Sequence, residues 1–152
     1  MAPVALQEPL AQALRLVETR LQREAITVTV HVPAELPCVW GATDQLAQVF
    51  LNVLVNAWHA LPDGGTVTIV AEPRGTDQVR ITFRDSGAGM DSATLARVFE
   101  PFYTTKGNKG TGLGLAICKQ IIDRYGGTIR LESAPSSGTT VIIDLLRTDA
   151  SS

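Results

Sequence analysis

Hydrophobic positions recur along this chain with two periods, and the switches between them mark out its elements. Leu6, Leu10, Ala13, Leu14, Val17 and Leu21 recur at helical spacing, which predicts an amphipathic helix over about 9–24 with Pro9 in its first turn. Residues 26–32 alternate β-branched and polar side chains and read as a half-buried strand. His31 falls on its polar side with the threonines, the place of a solvated histidine rather than a ligand. Pro33 and Pro37 bracket a loop, and 38–40 reads as a short edge strand. Leu46, Val49, Phe50, Val53, Leu54 and Ala57 form the buried stripe of a long helix over about 43–61. A tight turn at 62–65 leads into alternating strands at 66–70 and 79–83, joined as a hairpin by the turn 74–77. A short helix is expected within 92–99. Leu115, Ile117, Ile121 and Ile122 mark the stripe of another helix over 115–125, ended by the glycines at 126–127. Strands at 128–133 and 139–146 flank a turn at 134–138, and 147–152 reads as a frayed tail. Two hairpins and one N-terminal strand predict an α/β two-layer sandwich, a mixed sheet of about five strands with helices on one face.

Composition narrows the function classes. The 152 residues are 45% hydrophobic and 18% charged, which suits a single folded domain spanning 1–152. Thirteen Lys and Arg against 15 Asp and Glu give a net charge of −2, so no basic excess points to nucleic acid. Cys38 and Cys118 are far apart without a CxxC, which suggests two buried apolar residues in a reducing compartment rather than a zinc site or a disulfide framework. No apolar run is long enough to cross a membrane, and Met1-Ala2-Pro3 starts no signal peptide.

Candidate chemistry gathers in four places. The stretch from Lys109 to Ile117 alternates glycines with small or apolar residues and opens directly onto a helix. Such an N-terminus carries unpaired N–H groups and the positive end of the helix dipole, an arrangement suited to phosphate, although a glycine-rich loop also serves plain flexibility. Asn52 and Asn56 lie one turn apart on one face of the long helix, with His59 nearly in line. Asparagine is a poor helix former, so two of them among Val and Leu suggest either backbone partners or amide oxygens for a hard cation bridging phosphates. Asp85 ends a strand and is followed by Gly87 and Gly89, a turn that aims a carboxylate while letting backbone approach a ligand. Phe99, Phe102 and Tyr103 crowd one segment of a chain that is only 5% aromatic, suggesting a flap with an aromatic anchor or a surface loop pinned to the core.

Together these segments resemble the GHKL ATPases and, within them, the catalytic and ATP-binding domain of sensor histidine kinases. Residues 52–57 (NVLVNA) resemble the N box and 85–90 (DSGAGM) the first glycine box. Residues 99–102 (FEPF) resemble the F box, 110–115 (GTGLGL) the second glycine box, and 138–140 (GTT) the last Gly-Thr element. Any one of these is weak; all five in order cover nearly the whole chain. The form FEPFYTTK at 99–106 is similar to the kinases that pair with nitrogen-regulation type response regulators. The resemblance implies the Bergerat fold, ATP and Mg²⁺ as cofactors, and a lid over about 91–109. It implies that Asp85 bonds the adenine amine, that Gly87 and Gly89 shape the adenine wall, and that Thr139 lies near that acid. It implies that Asn56 holds Mg²⁺ with Asn52 beside it as a possible second ligand, and that His59 lies near the phosphates, with Asn56 and His59 as the catalytic pair. Backbone at Gly110, Thr111, Gly112, Leu113, Gly114 and Leu115 would meet the phosphates. Phe99, Phe102, Thr105, Lys106 and Lys109 would contribute from the lid.

Two departures stand out. The family often has an Asp just ahead of the N-box helix where this chain has Ala42, leaving Thr43 as the expected cap. The phosphoacceptor histidine is also missing, because neither His31 nor His59 has its sequence context. The implied partner is therefore a separate dimerisation and phosphoacceptor helical domain, with a response regulator downstream, a cytoplasmic setting, and no contact with nucleic acid or membrane. An anti-sigma-type serine-protein kinase and a non-catalytic nucleotide-binding module are the alternatives.

Overall fold

A computed structural model describes residues 1–100 and 114–148. The elements in order are β1 (Ala2–Val4), α1 (Gln7–Arg23), β2 (Ile26–His31), β3 (Val39–Gly41), α2 (Thr43–His59), β4 (Gly65–Arg74), β5 (Gln78–Asp85), α3 (Ser92–Leu95), α4 (Gly114–Arg124), β6 (Thr128–Ser133) and β7 (Thr139–Leu146). Five strands form one sheet in the order β2-β4-β5-β7-β6. β2 runs parallel to β4, and every other pair in it is antiparallel. The parallel pair needs a crossover, and β3 with α2 supplies it.

Alternation along the strands separates two faces. Val67, Ile69 and Ala71 of β4, Val79, Ile81 and Phe83 of β5, and Val141, Ile143 and Leu145 of β7 are buried in one core with the stripes of α1, α2 and α4. Phe50 of α2 meets Phe83 with ring centroids 5.5 Å apart. The opposite face carries a bidentate ion pair across β5 and β7, Arg80 Nε to Asp144 Oδ1 at 2.8 Å and Nη2 to Oδ2 at 3.0 Å. That hydrogen bonding to Asp144 raises the Arg80 pKa further above its ordinary value.

Several expectations are corrected. Ala2–Val4 forms a strand that pairs antiparallel with β3, making a second, two-stranded sheet where no first strand was expected. β2 is more exposed than its alternation implies: as an edge strand it has one neighbour, and Val30 remains 42% exposed. The hairpin strands are longer than predicted, because β4 and β5 stay paired from Val67–Asp85 out to Arg74–Gln78. Thr43 does not cap α2; it is already the first helical residue, and Ala42 occupies the cap position without a side-chain bond. The stripe of α4 is Ala116, Cys118, Ile121 and Ile122, while Ile117 is exposed and Leu115 only half-buried. Cys118, Ile121, Ile122 and Tyr125 fit the helical repeat better, with small Cys118 marking the inward face. The start of the expected tail is tied down, since Arg147 N–H donates to Asp77 O and Thr148 N–H to Cys38 O. Residues 149–152 lie outside the described residues.

Candidate functional site

The acid comes first. Asp85 ends β5, next to Thr139 at the start of β7 in the ladder. It is only 8% exposed, and its Oδ1 accepts from the backbone N–H of Gly87 at 2.9 Å and of Thr139 at 3.2 Å. Strand pairing thus fixes the carboxylate from one side and its own turn fixes it from the other. Gly87 lies so close to the end of α2 that a Cβ there would sit 2.6 Å from the Ala60 carbonyl oxygen. Gly89 has φ +76°, and a Cβ would lie 1.9 Å from the Ala134 carbonyl oxygen, so only glycine fits this approach.

The 85–90 turn is pinned to the β6–β7 turn by groups that the sequence did not advertise. Met90 N–H donates to Ser133 Oγ at 2.9 Å, and Ser133 Oγ donates to the Gly138 carbonyl at 2.8 Å and lies 3.0 Å from Thr139 Oγ1. Ser136 N–H also donates to the Ala88 carbonyl. A lone serine at a strand end carries no periodic signal, and its partners are remote in sequence.

On α2, Asn52, Asn56 and His59 are half-buried at the margin between stripe and solvent. Asn52 Nδ2 donates to the Gly114 carbonyl at 3.2 Å, and its Oδ1 accepts from Gln48 Nε2 at 2.8 Å. The helix therefore spans two clusters. Its middle lies against the start of α4, and Ala60, just beyond His59, lies against the Asp85 turn. The His59 ring meets Trp58 edge-on at 5.4 Å, and the Arg20 guanidinium sits 4.3 Å above the Trp58 ring. Cys118 is buried beneath this surface, with its Sγ donating to the Val49 carbonyl at 3.6 Å. Burial pushes its thiol up to about 12.

The structure thus brings Asp85, Gly87 and Thr139 into direct contact, and Asn52 into contact with Gly114. Leu115 follows in the first turn of α4, and Phe99 is half-buried against the core. Phe102, Thr105, Lys106, Lys109, Gly110, Thr111, Gly112 and Leu113 lie outside the described residues. A groove of about 450 Å³ opens at this end of the sheet, lined by Thr66, Thr68, Arg84, Asp85, Ser86 and the turn 136–138. Asp85 borders this groove, while Asn52 lies away from it where α2 meets the start of α4. Among the described residues no group of three or more His, Cys, Asp or Glu is placed to hold a metal ion, and no helix is long and apolar enough to cross a membrane.

Comparison with known proteins bears on the same geometry. Residues 41–149 match the family described as histidine kinase-, DNA gyrase B-, and HSP90-like ATPases. The chain is 38% identical over 135 residues to the sensor histidine kinase ZraS of Klebsiella oxytoca, covering 89% of this chain and 29% of that protein. It thus spans less than a third of the length of that relative. The catalytic domain of histidine kinase ThkA superposes with a TM-score of 0.86 at 30% identity, covering 97% of this chain and 95% of that one. ThkA in complex with the response regulator TrrA gives 0.81 at 28% identity, over 97% of this chain and 42% of that one. Full-length ShkA in complex with AMPPNP gives 0.86 at 28% identity, over 99% of this chain and 32% of that one. The family match over more than half of the chain, the 38% identity to a sensor kinase and the close superposition on a histidine kinase catalytic domain agree: the chain belongs to the histidine kinase-, DNA gyrase B- and HSP90-like ATPases, among the catalytic domains of sensor histidine kinases.

Proposed function

We propose that this domain binds Mg-ATP between α2, the 85–90 turn and the start of α4, and donates the γ-phosphate to a histidine on a separate helical dimerisation domain. A response regulator would then receive the phosphoryl group, as the ThkA–TrrA complex suggests for its own pair. The relatives named above are sensor kinases, which favours histidine over serine as the acceptor. The observation that carries the reading is the clamped carboxylate of Asp85. Ionised, it accepts hydrogen bonds only, so it selects the exocyclic amine of adenine over the carbonyl that guanine presents there.

The donor set suits a cation that arrives with its nucleotide. Mg²⁺ keeps several waters and takes phosphate oxygens plus one or two protein oxygens, so an all-protein cage is not needed. Asn56 would supply the protein oxygen. When bound, the ion neutralises charge on the phosphates. The chain's own groups would do the rest by positioning: N–H groups at the start of α4 face the phosphates, and His59 lies one turn beyond Asn56 on the same helix. The nucleophile would be the partner histidine, so the isolated domain should bind ATP and show little autophosphorylation.

Calorimetric titration with AMPPNP, with and without Mg²⁺, tests this beside Asp85→Asn. Asparagine's oxygen would stay with the Gly87 and Thr139 N–H groups, turning its NH₂ toward the adenine amine. Affinity should fall by about tenfold to a hundredfold, the cost of opposing two donors in a buried site. Wild-type protein that fails to bind at any Mg²⁺ concentration would sink the assignment.

A further inference from the structure

We infer that Asn52 is a positioning residue and not a metal ligand: its side-chain amide clasps the first turn of α4 to α2, and so sets where that helix end meets the nucleotide. The Gly114 carbonyl can only accept a hydrogen bond, so the amide NH₂ must face it. This fixes the orientation of the whole amide and turns Oδ1 away, where Gln48 Nε2 donates to it at 2.8 Å. The oxygen a cation would need is thus engaged within α2 itself.

The packing around this contact explains why it acts locally. α2 and α4 run antiparallel, and other polar contacts join them farther from the site: Cys118 Sγ to the Val49 carbonyl, and Tyr125 OH to Gln45 Oε1. Positions 45, 49 and 52 on α2 thus meet Tyr125, just past α4, and 118 and 114 on α4 itself. The Asn52 bond is the last in this series and the only one of the three at the opening turn of α4. A Cβ on Gly114 would lie 3.9 Å from the Asn52 Cβ, so the two helices come close there. Removing the clasp should free the opening turn while the other two contacts hold the rest of α4 in place.

The inference rests on the nucleotide reading for its binding arm alone, and Asn52→Asp separates the two roles. A carboxylate facing the Gly114 carbonyl sets acceptor against acceptor, yet it is a better ligand for Mg²⁺ than an amide. As a clasp, Asn52→Asp should speed amide hydrogen exchange at 118–119 by about tenfold in the nucleotide-free protein, the loss of one net hydrogen bond. It should weaken AMPPNP several-fold with the Mg²⁺ midpoint of binding unmoved. Gln48→Leu, at an exposed position, should shift exchange in the same direction by less and guards against a folding defect. Wild-type exchange at 118–119 in Asn52→Asp, or a lowered Mg²⁺ midpoint with exchange unchanged, would overturn the clasp. Failure of wild-type protein to bind AMPPNP would remove the nucleotide reading and leave the exchange result standing.

Discussion

Cys118 shows what a single buried atom does at the residue scale. Its thiol lies fully inside the α2–α4 contact, and burial raises its pKa from 9.0 to about 12. A raised pKa means that the folded state favours the protonated form. The stabilisation is therefore complete below pH 9.0, where both states hold the proton, and is lost as pH rises toward 12 and the unfolded thiol ionises first. Denaturation midpoints between those limits should fall with a steeper slope in wild type than in Cys118→Ala, by about 1.4 kcal/mol per pH unit for one proton. Equal slopes would show that the thiol ionises as readily folded as unfolded. Residues of this kind were partly legible in the sequence. Cys118 was expected to be buried, and Asp85 announced itself by ending a strand ahead of Gly-x-Gly. Gln48 and Ser133 did not, because a polar residue that bonds across tertiary space leaves no local trace.

At the element scale, the turn after β5 is a joint between two hairpins rather than a free loop. Gly89 has a positive φ, and a Cβ there would fall 1.9 Å from the Ala134 carbonyl oxygen, because the β6–β7 turn closes over it and Ser133 bonds Met90 from the same side. Gly89→Ala should cost more than about 2 kcal/mol in urea melts, since strain in φ adds to a clash with backbone that cannot yield. AMPPNP affinity should fall with it as the Asp85 turn shifts. Stability within 0.5 kcal/mol of wild type, roughly the scatter of harmless surface changes, would show the turn to be loose. The same scale explains what pattern reading missed. The apolar pattern of α4 points to its largest residues, and Ile121 and Ile122 are buried accordingly, but in the first turns the helix buries its smaller Ala116 and Cys118 instead of Leu115 and Ile117. Strand β1 is three residues long and holds a proline, too little for any period. It exists only because β3 gives it an antiparallel partner. The α2 start was legible, but its cap was not, since Thr43 is one position too late.

For the whole molecule, the architecture followed from hairpins and helix periods alone, as the five-stranded sheet with helices on one face shows. A ligand seated between its two layers touches both and should stabilise them together. At a hundredfold excess over Kd, binding adds about 2.7 kcal/mol, which for a domain of this size raises Tm by about 5–10 °C. Thermal scans with Mg-AMPPNP should show that rise, and a Tm that stays put while calorimetry reports binding would place the ligand outside the cooperative core. The pairing of Asp85 with Thr139 has a further result in time. Everything from the first glycine turn to α4 and β6 lies between those two residues in the chain, so the buried acid is made early and its second backbone clamp late. During synthesis a nascent chain carries Asp85 long before β7 exists to hold it. If Asp85 reads adenine as proposed, nascent chains that end before β7 would lack one of its two backbone clamps, and full recognition would come only with the completed sheet.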